Sequence, residues 1–254
     1  MPTFEIQAFT PSRVAALNRE YAGASAEAVL TWAVNTFPAE RLAFACSFGL
    51  EDVAILEMLT RLPKVPRVFF LDTGRLPQET YDVLDQARRH YGLAVEVYCP
   101  RAEAVETLVR RDGPNGFYES LVQRKACCAV RKVEPLARAL HGADAWITGL
   151  RREQSPTRAD LRPFEWDEDH GGILKIQPLL DWDLERTRAY VRHHGVPTNA
   201  LHDQGYPSIG CAPCTRPVRP GEDLRAGRWW WEAPEHKECG LHRAPRPDLT
   251  ALES

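Results

Sequence analysis

Four cysteines in two pairs carry the strongest chemical signal in this sequence. Cys127 and Cys128 are adjacent, while Cys211 and Cys214 form a C-x-x-C around Ala212 and Pro213. Four thiolates are the ligand set of a four-iron four-sulfur (4Fe-4S) cluster or of a structural zinc. The C-x-x-C spacing lets two sulfurs meet at one site, and Pro213 stiffens the loop that carries them. Adjacent residues on a helix project about 100° apart. A single tetrahedral ion is hard to reach from both, whereas a cluster offers separate irons, so the pattern favours a cluster. A redox C-x-x-C is disfavoured because no strand pattern leads into Cys211. Cys46 and Cys99 fall within strand patterns and read as core thiols.

The seventh cysteine, Cys239, stands alone in Lys237-Glu238-Cys239-Gly240-Leu241-His242. Cationic neighbours favour the thiolate, the nucleophilic form, and Gly240 permits a tight turn that would present the sulfur. An isolated thiol in a polar segment is ordinarily incidental. The preceding Trp229-Trp230-Trp231 run, however, is too apolar to lie in solvent, so this segment is expected to dock. A docked segment with a thiol suits a cover over a nucleotide site, to which Arg225 and Arg228 would add positive charge.

Three turns suggest that nucleotide site. Ser47-Phe48-Gly49-Leu50-Glu51-Asp52 follows an apolar run and opens a helical pattern. Leu71-Asp72-Thr73-Gly74-Arg75-Leu76 and Thr148-Gly149-Leu150-Arg151-Arg152 follow two others. Small residues at strand ends leave backbone N–H groups facing an anion, with support from a helix N-terminus. The first turn lacks the spacing of a P-loop and of a dinucleotide fingerprint. Each turn alone reads as ordinary capping, but three on one sheet rim point to a shared anion pocket.

The elements that must position these residues alternate along the chain. Helical periodicity covers Ser12–Phe37, Glu51–Arg61, Pro77–Tyr91, Ala102–Arg111, Cys128–Leu140 and Leu184–His194. Strands are expected at Arg41–Cys46, Val65–Leu71, Ala94–Cys99, Ala145–Leu150 and Gly172–Pro178. Strands separated by helices imply an α/β fold with a mostly parallel sheet. The predicted division is an α/β nucleotide-binding unit over 1–198, including the first Cys pair. An irregular C-terminal segment, 199–254, carries the second pair and Cys239, with a disordered tail from about Arg243.

Composition sets the limits. With 254 residues, 44% hydrophobic and 26% charged, the chain supports one sizeable core. No apolar run approaches the roughly 20 residues that span a bilayer, and the first ten residues show no secretory pattern. A cytoplasmic, reducing location is expected, which argues against structural disulfides. The formal net charge of −3 gives no support for nucleic-acid binding.

Taken together, the three strand-end turns, the two cysteine pairs and Glu238–His242 resemble the assimilatory sulfonucleotide reductases. The likeness is specifically to the cluster-containing adenosine 5′-phosphosulfate (APS) reductases, and it spans roughly four-fifths of the chain. That resemblance implies an adenine-nucleotide α-hydrolase-like fold of the PP-loop pyrophosphatase type. It implies that Cys239 attacks sulfur, that AMP leaves an S-sulfocysteine, and that thioredoxin or a similar dithiol releases sulfite in sulfate assimilation. Cys127, Cys128, Cys211 and Cys214 would hold the 4Fe-4S cluster, with Lys132 between cluster and substrate and His242 beside the nucleophile. Ser47, Phe48, Gly49, Asp52, Leu71, Thr73, Gly149, Arg158, Arg225 and Arg228 would bind substrate. The family also suggests a homo-oligomer. The nearest alternative substrate is the 3′-phosphorylated analogue, PAPS. A PP-loop tRNA-thiolating enzyme is more distant, because the Ser47 turn departs from S-G-G-x-D-S and the chain is not basic. Zinc bound in a non-catalytic module is a third reading.

Overall fold

A computed structural model describes residues 9–155, 158–233, 236–238 and 240–241. Short runs of β-branched, aromatic and aliphatic residues form six strands: Leu42–Ala45 (β1), Arg67–Leu71 (β2), Val95–Tyr98 (β3), Ala145–Ile147 (β4), Phe164–Asp167 (β5) and Ile173–Ile176 (β6). They pair in the order β3-β2-β1-β4-β6-β5, parallel throughout except for the antiparallel β5–β6 edge.

Successive side chains of these strands point to opposite faces, and both faces are apolar. Phe44, Val68, Phe70, Ile147 and Leu174 enter one core, and Ala43, Phe69, Trp146 and Ile173 enter the other. Helices therefore flank the sheet. Pro11–Glu20 (α1), Ala26–Thr36 (α2), Leu50–Thr60 (α3), Gln78–Tyr91 (α4) and Leu184–His193 (α8) pack into the larger core. Helix α3 is buried on nearly every side from Leu50 to Leu59, as expected for a helix apolar all round. Ala102–Asp112 (α5), Leu121–Cys128 (α6) and Glu134–Leu140 (α7) follow, and α7 supplies Leu136, Ala139 and Leu140 to the second core.

Several expectations need correction. The helical stretch expected over Ser12–Phe37 is two helices, because Gly23 adopts φ +72° and Ser25 caps a new start by accepting from the Ala28 N–H. The helix expected at Cys128 begins at Leu121, and a π-helical turn over Ala129–Val133 separates α6 from α7. Strand β5 was not anticipated, since this four-residue edge strand is defined by its antiparallel pairing with the next strand, β6. Cys46 is buried as expected, but Cys99 is exposed, one residue beyond β3 on the outer edge.

No helix among the described residues is long and apolar enough to cross a membrane. From Asn199 to Leu241 the described chain has only short 3-10 turns and one isolated bridge, between Thr215 and Arg228. Its neighbours β1 and β4 leave the sheet centre in opposite directions, which opens a crevice at their carboxyl ends. The irregular segment returns to that crevice.

Candidate active site

The turn after β1 is shaped by one buried carboxylate. The backbone N–H and Oγ of Ser47 each donate to Asp52 Oδ2 at 2.6 Å. Phe48 takes φ +57°, which is unfavourable for a residue with a side chain, and its ring is buried 5.6 Å from that of Phe70. Core packing thus stabilises the turn that aims the backbone. The Gly149 backbone donates to Asp52 as well, and a Cβ at Gly149 would lie 2.2 Å from Oδ1. Asp52 thereby ties the turn after β1 to the turn after β4. Burial pushes its pKa up to about 7, against the lowering effect of the Ser47 hydrogen bonds.

Next to this turn lies a cavity of about 220 Å³. Every residue expected to bind substrate lines it: Ser47, Phe48, Gly49, Asp52, Leu71, Thr73, Gly149, Arg158, Arg225 and Arg228. The Phe48 ring belongs to the core and Asp52 is engaged by protein groups, so both act by shaping the rim. Lys132 lines the cavity too.

One end of the cavity is cationic. Arg158 is buried, and its guanidinium lies 3.3 Å from both carboxylate oxygens of Glu238. Arg225 Nη2 lies 3.5 Å from Glu238 Oε2 and donates to the Lys237 carbonyl at 2.7 Å. Arg228 is buried against the Trp229 ring and reaches the Ile209 carbonyl at 3.2 Å, while its Nε has no hydrogen-bond partner among the described residues. Gly210 makes that approach possible, since a Cβ there would fall 2.2 Å from Arg228 Nη2. The contacts to Glu238 exceed the 2.7–2.9 Å of strong charge-assisted bonds, so the end is suited to exchange one anion for another.

A second, smaller cavity of about 20 Å³ adjoins the first. Cys127, Cys128, Cys211 and Cys214 all line it, so the fold brings together two pairs that are distant in sequence. The first pair ends α6, whose start is capped by Ser120. The second is pinned by the turn after β2: Ala212 N–H donates to the Arg75 carbonyl at 2.8 Å, and Thr73 Oγ1 lies 3.2 Å from Cys211 Sγ. Tyr118 Oη donates to the Pro213 carbonyl at 2.6 Å. Burial pushes the Cys214 thiol up to about 12, and proximity to Cys211 and Cys128 adds to the rise. Cys127 is raised by burial as well, against Arg131.

Arg75, Arg124, Arg131, Lys132 and Arg228 surround these sulfurs. That many cations around four thiols suits an anionic thiolate centre, and ligation would release the thiol protons. Among the described residues, no three His, Cys, Asp or Glu side chains are grouped to hold a single metal ion. Lys132, Arg228 and Trp229 line both cavities. Lys132 was expected between the cluster and the substrate. It lies on the π turn, whose extra residue rotates the chain and leaves the lysine lining both cavities.

Cys239 and His242 lie outside the described residues. Their described neighbours Glu238 and Leu241 line the large cavity. Sequence reasoning missed Glu238 itself, along with Gln154, Asn199 and His202 on the cavity wall. It also passed over Arg151, buried with Nε 2.8 Å from Glu51 Oε1, an ion pair whose disruption costs about 3–5 kcal/mol. Nothing in local pattern marks these residues, because each acquires its role from a distant partner.

Residues 41–217 match the model of the phosphoadenosine phosphosulfate reductase domain. The chain is 55% identical over 210 residues to an adenosine 5′-phosphosulfate reductase of Allochromatium vinosum, covering 82% of each chain. It is 50% identical to one of Burkholderia cepacia, covering 80% of this chain and 81% of that one. Among solved structures, a phosphoadenylyl-sulfate reductase of Candida auris in a phosphate complex superposes with a TM-score of 0.70 at 32% identity, covering 82% of this chain and 98% of that one. An FMN adenylyltransferase of Candida glabrata, at 17% identity and a TM-score of 0.52, shares the fold alone. By sequence, sheet topology and the match across its central residues, the chain belongs to the phosphoadenosine phosphosulfate reductase family.

Proposed function

We propose that this chain reduces adenosine 5′-phosphosulfate to sulfite and AMP in sulfate assimilation. The observation that carries the reading is the junction of a nucleotide-sized rim with a four-cysteine cavity through Lys132, Arg228 and Trp229. The Ser47 and Gly149 turns hold the nucleotide, and Arg158, Arg225 and Arg228 neutralise the phosphosulfate. The Cys239 thiolate attacks sulfur in line: an S–S bond forms, the S–O bond breaks, and its electron pair leaves on the phosphate of AMP. Arginines that balance the departing charge lower that barrier. His242 stands three residues beyond the nucleophile as a further cation for this end. A thiolate of thioredoxin, or of a similar dithiol, then attacks Cys239 Sγ and expels sulfite. Its second thiol resolves the mixed disulfide, so the dithiol supplies the two electrons.

Cys127, Cys128, Cys211 and Cys214 would hold a 4Fe-4S cluster. Four thiolates lining one cavity are the ligand set of such a cluster. When bound, it would supply a fixed charged centre facing Lys132. The free thiols fit a reducing cytoplasm, and the family suggests a homo-oligomer.

PAPS is the second reading, favoured by the Candida auris likeness. The relatives at 50–55% identity carry the APS name, so APS leads. Mass spectrometry after mixing with APS is expected to show a sulfonate adduct on Cys239, absent in Cys239→Ser. Sulfite release from APS is expected to exceed that from PAPS by at least about tenfold, a difference of about 1.4 kcal/mol. A PAPS preference overturns the substrate assignment.

A further inference from the structure

Arg124 is among the least exposed charged side chains of the described residues, at 1%, and the charge it brings to the four sulfurs accounts for few of its contacts. It sits on α6, three and four residues before the first cysteine pair. Its guanidinium makes four strong contacts, and none of them lies in its own helix. Nε donates to Glu232 Oε1 at 2.8 Å and Nη2 to Glu232 Oε2 at 2.7 Å, a bidentate pair in which the carboxylate is also buried. Nη1 donates to the Glu238 carbonyl and Nη2 to the His236 carbonyl, each at 2.7 Å. Its Cζ lies over the Trp229 ring, 4.9 Å from the centroid, and the guanidinium also interacts with the Cys128 sulfur. One side chain thus joins a member of the four-cysteine cavity to the carbonyl of the residue that directly precedes Cys239.

We propose that Arg124 is a positioning residue for the nucleophile. It fixes the backbone entering Cys239 to the helix that bears Cys127 and Cys128, and so makes the reach of the thiol depend on the four-cysteine site. This rests on Cys239 being the nucleophile of the proposed reaction. The chemistry favours arginine specifically. A planar fork satisfies one carboxylate and two carbonyls at fixed angles, whereas an ammonium of equal charge reaches fewer of them. The described residues of 232–238 lie in no strand or α-helix, so backbone carbonyls anchored to a buried cation supply their register. In-line attack at sulfur tolerates little misplacement, because a displacement of about 1 Å costs on the order of 100-fold in rate. Arg158 also touches this segment, but through the Glu238 side chain at 3.3 Å, and Arg225 reaches that side chain at 3.5 Å and the Lys237 carbonyl at 2.7 Å, both in the part of the cavity that substrate would take. Arg124 holds the backbone from the other side and would keep its grip when Glu238 is displaced.

The test uses the full-length protein with its metal content measured. Arg124→Lys retains the charge and loses the fork. Glu232→Gln retains the shape and releases the pair, which guards against a variant that fails to fold. Two quantities are read: the rate of Cys239 alkylation by iodoacetamide, followed by peptide mass spectrometry, and kcat and KM for sulfite formation from APS. Expected in both variants are unchanged iron content, alkylation faster by about tenfold or more, kcat lower by about tenfold or more and KM within about threefold. Unchanged alkylation in folded, iron-replete variants overturns the proposal, as does a loss confined to KM. If the unmodified protein makes no sulfite from APS, the reaction assignment fails. The alkylation arm, which needs no turnover, still decides whether Arg124 positions the Cys239 segment.

Discussion

The two adjoining cavities are built by different means. The larger is framed by backbone: turns at the ends of β1, β2 and β4, set by the sheet and locked by Asp52 and the buried Phe48 ring. The smaller is framed by side chains: four sulfurs and several guanidinium groups on α6, a π turn and an irregular loop. The first is a property of the α/β core, and the second exists only where distant segments meet. A backbone-framed site tolerates changes in its neighbours, whereas a side-chain-framed site fails when one member is removed. The difference teaches that the strand-end rim and the four-cysteine cavity are separable here, except at Lys132, Arg228 and Trp229, which belong to both.

The strongest way to break this comparison is to remove one sulfur. In Cys214→Ser, iron content and visible absorbance are expected to disappear, and sulfite formation to fall at least about 100-fold, because metal binding and local folding are coupled. Nucleotide affinity, measured by calorimetry with AMP, should stay within about fivefold, or about 1 kcal/mol. Equal loss of AMP binding would show that the cavities are one unit.

The complementary cut is Gly149→Ala. A Cβ there would collide with Asp52 Oδ1 and separate the turns after β1 and β4. AMP affinity should fall by about tenfold or more and stability by about 1–3 kcal/mol, while iron content is retained. Intact AMP binding would remove Asp52 from its role as the tie between strands.

The smallest effect sharpens the same point through pH. Burial raises Asp52 to about 7, so its carboxyl is neutral below that value and charged above it. A neutral carboxyl behind the Ser47 turn does not repel an anionic nucleotide. KM for the sulfonucleotide should therefore be lower at pH 6 than at pH 8 by about threefold, and Asp52→Asn should abolish the dependence. The stability linkage has the same sign. A raised carboxyl pKa means stability fully present below the unfolded value near 3.9 and lost as pH rises to about 7. Denaturant midpoints at pH 5 and pH 8 measure it, against Asp52→Asn as control.

Much of this arrangement is legible along the chain. Alternating apolar runs specify a parallel sheet because strands buried on both faces must be apolar on both, as Phe44 and Ala43 are. Turn residues such as Ser47, Thr73 and Gly149 mark the rim, since each stands where an apolar run ends. The two cysteine pairs announce a joint site through their types and spacing. Strand β5 was invisible because its pairing with β6, not its own pattern, defines it. Cys99 was misread because period-two alternation does not reveal which strand lies at the edge.

What the sequence determined by itself, then, is the set of chemical parts: thiols for a metal, arginines for an anion, glycines and serines for a cradle. Residue type and short-range spacing decide these, because they depend on covalent chemistry and local backbone preference. The tertiary structure alone decided that Lys132 stands between two cavities, that Asp52 joins two strand ends, and that Arg124 grips the chain before Cys239. Those roles arise from groups up to 114 residues apart. They become fixed only when burial removes water as a competing partner and makes each hydrogen bond costly to lose.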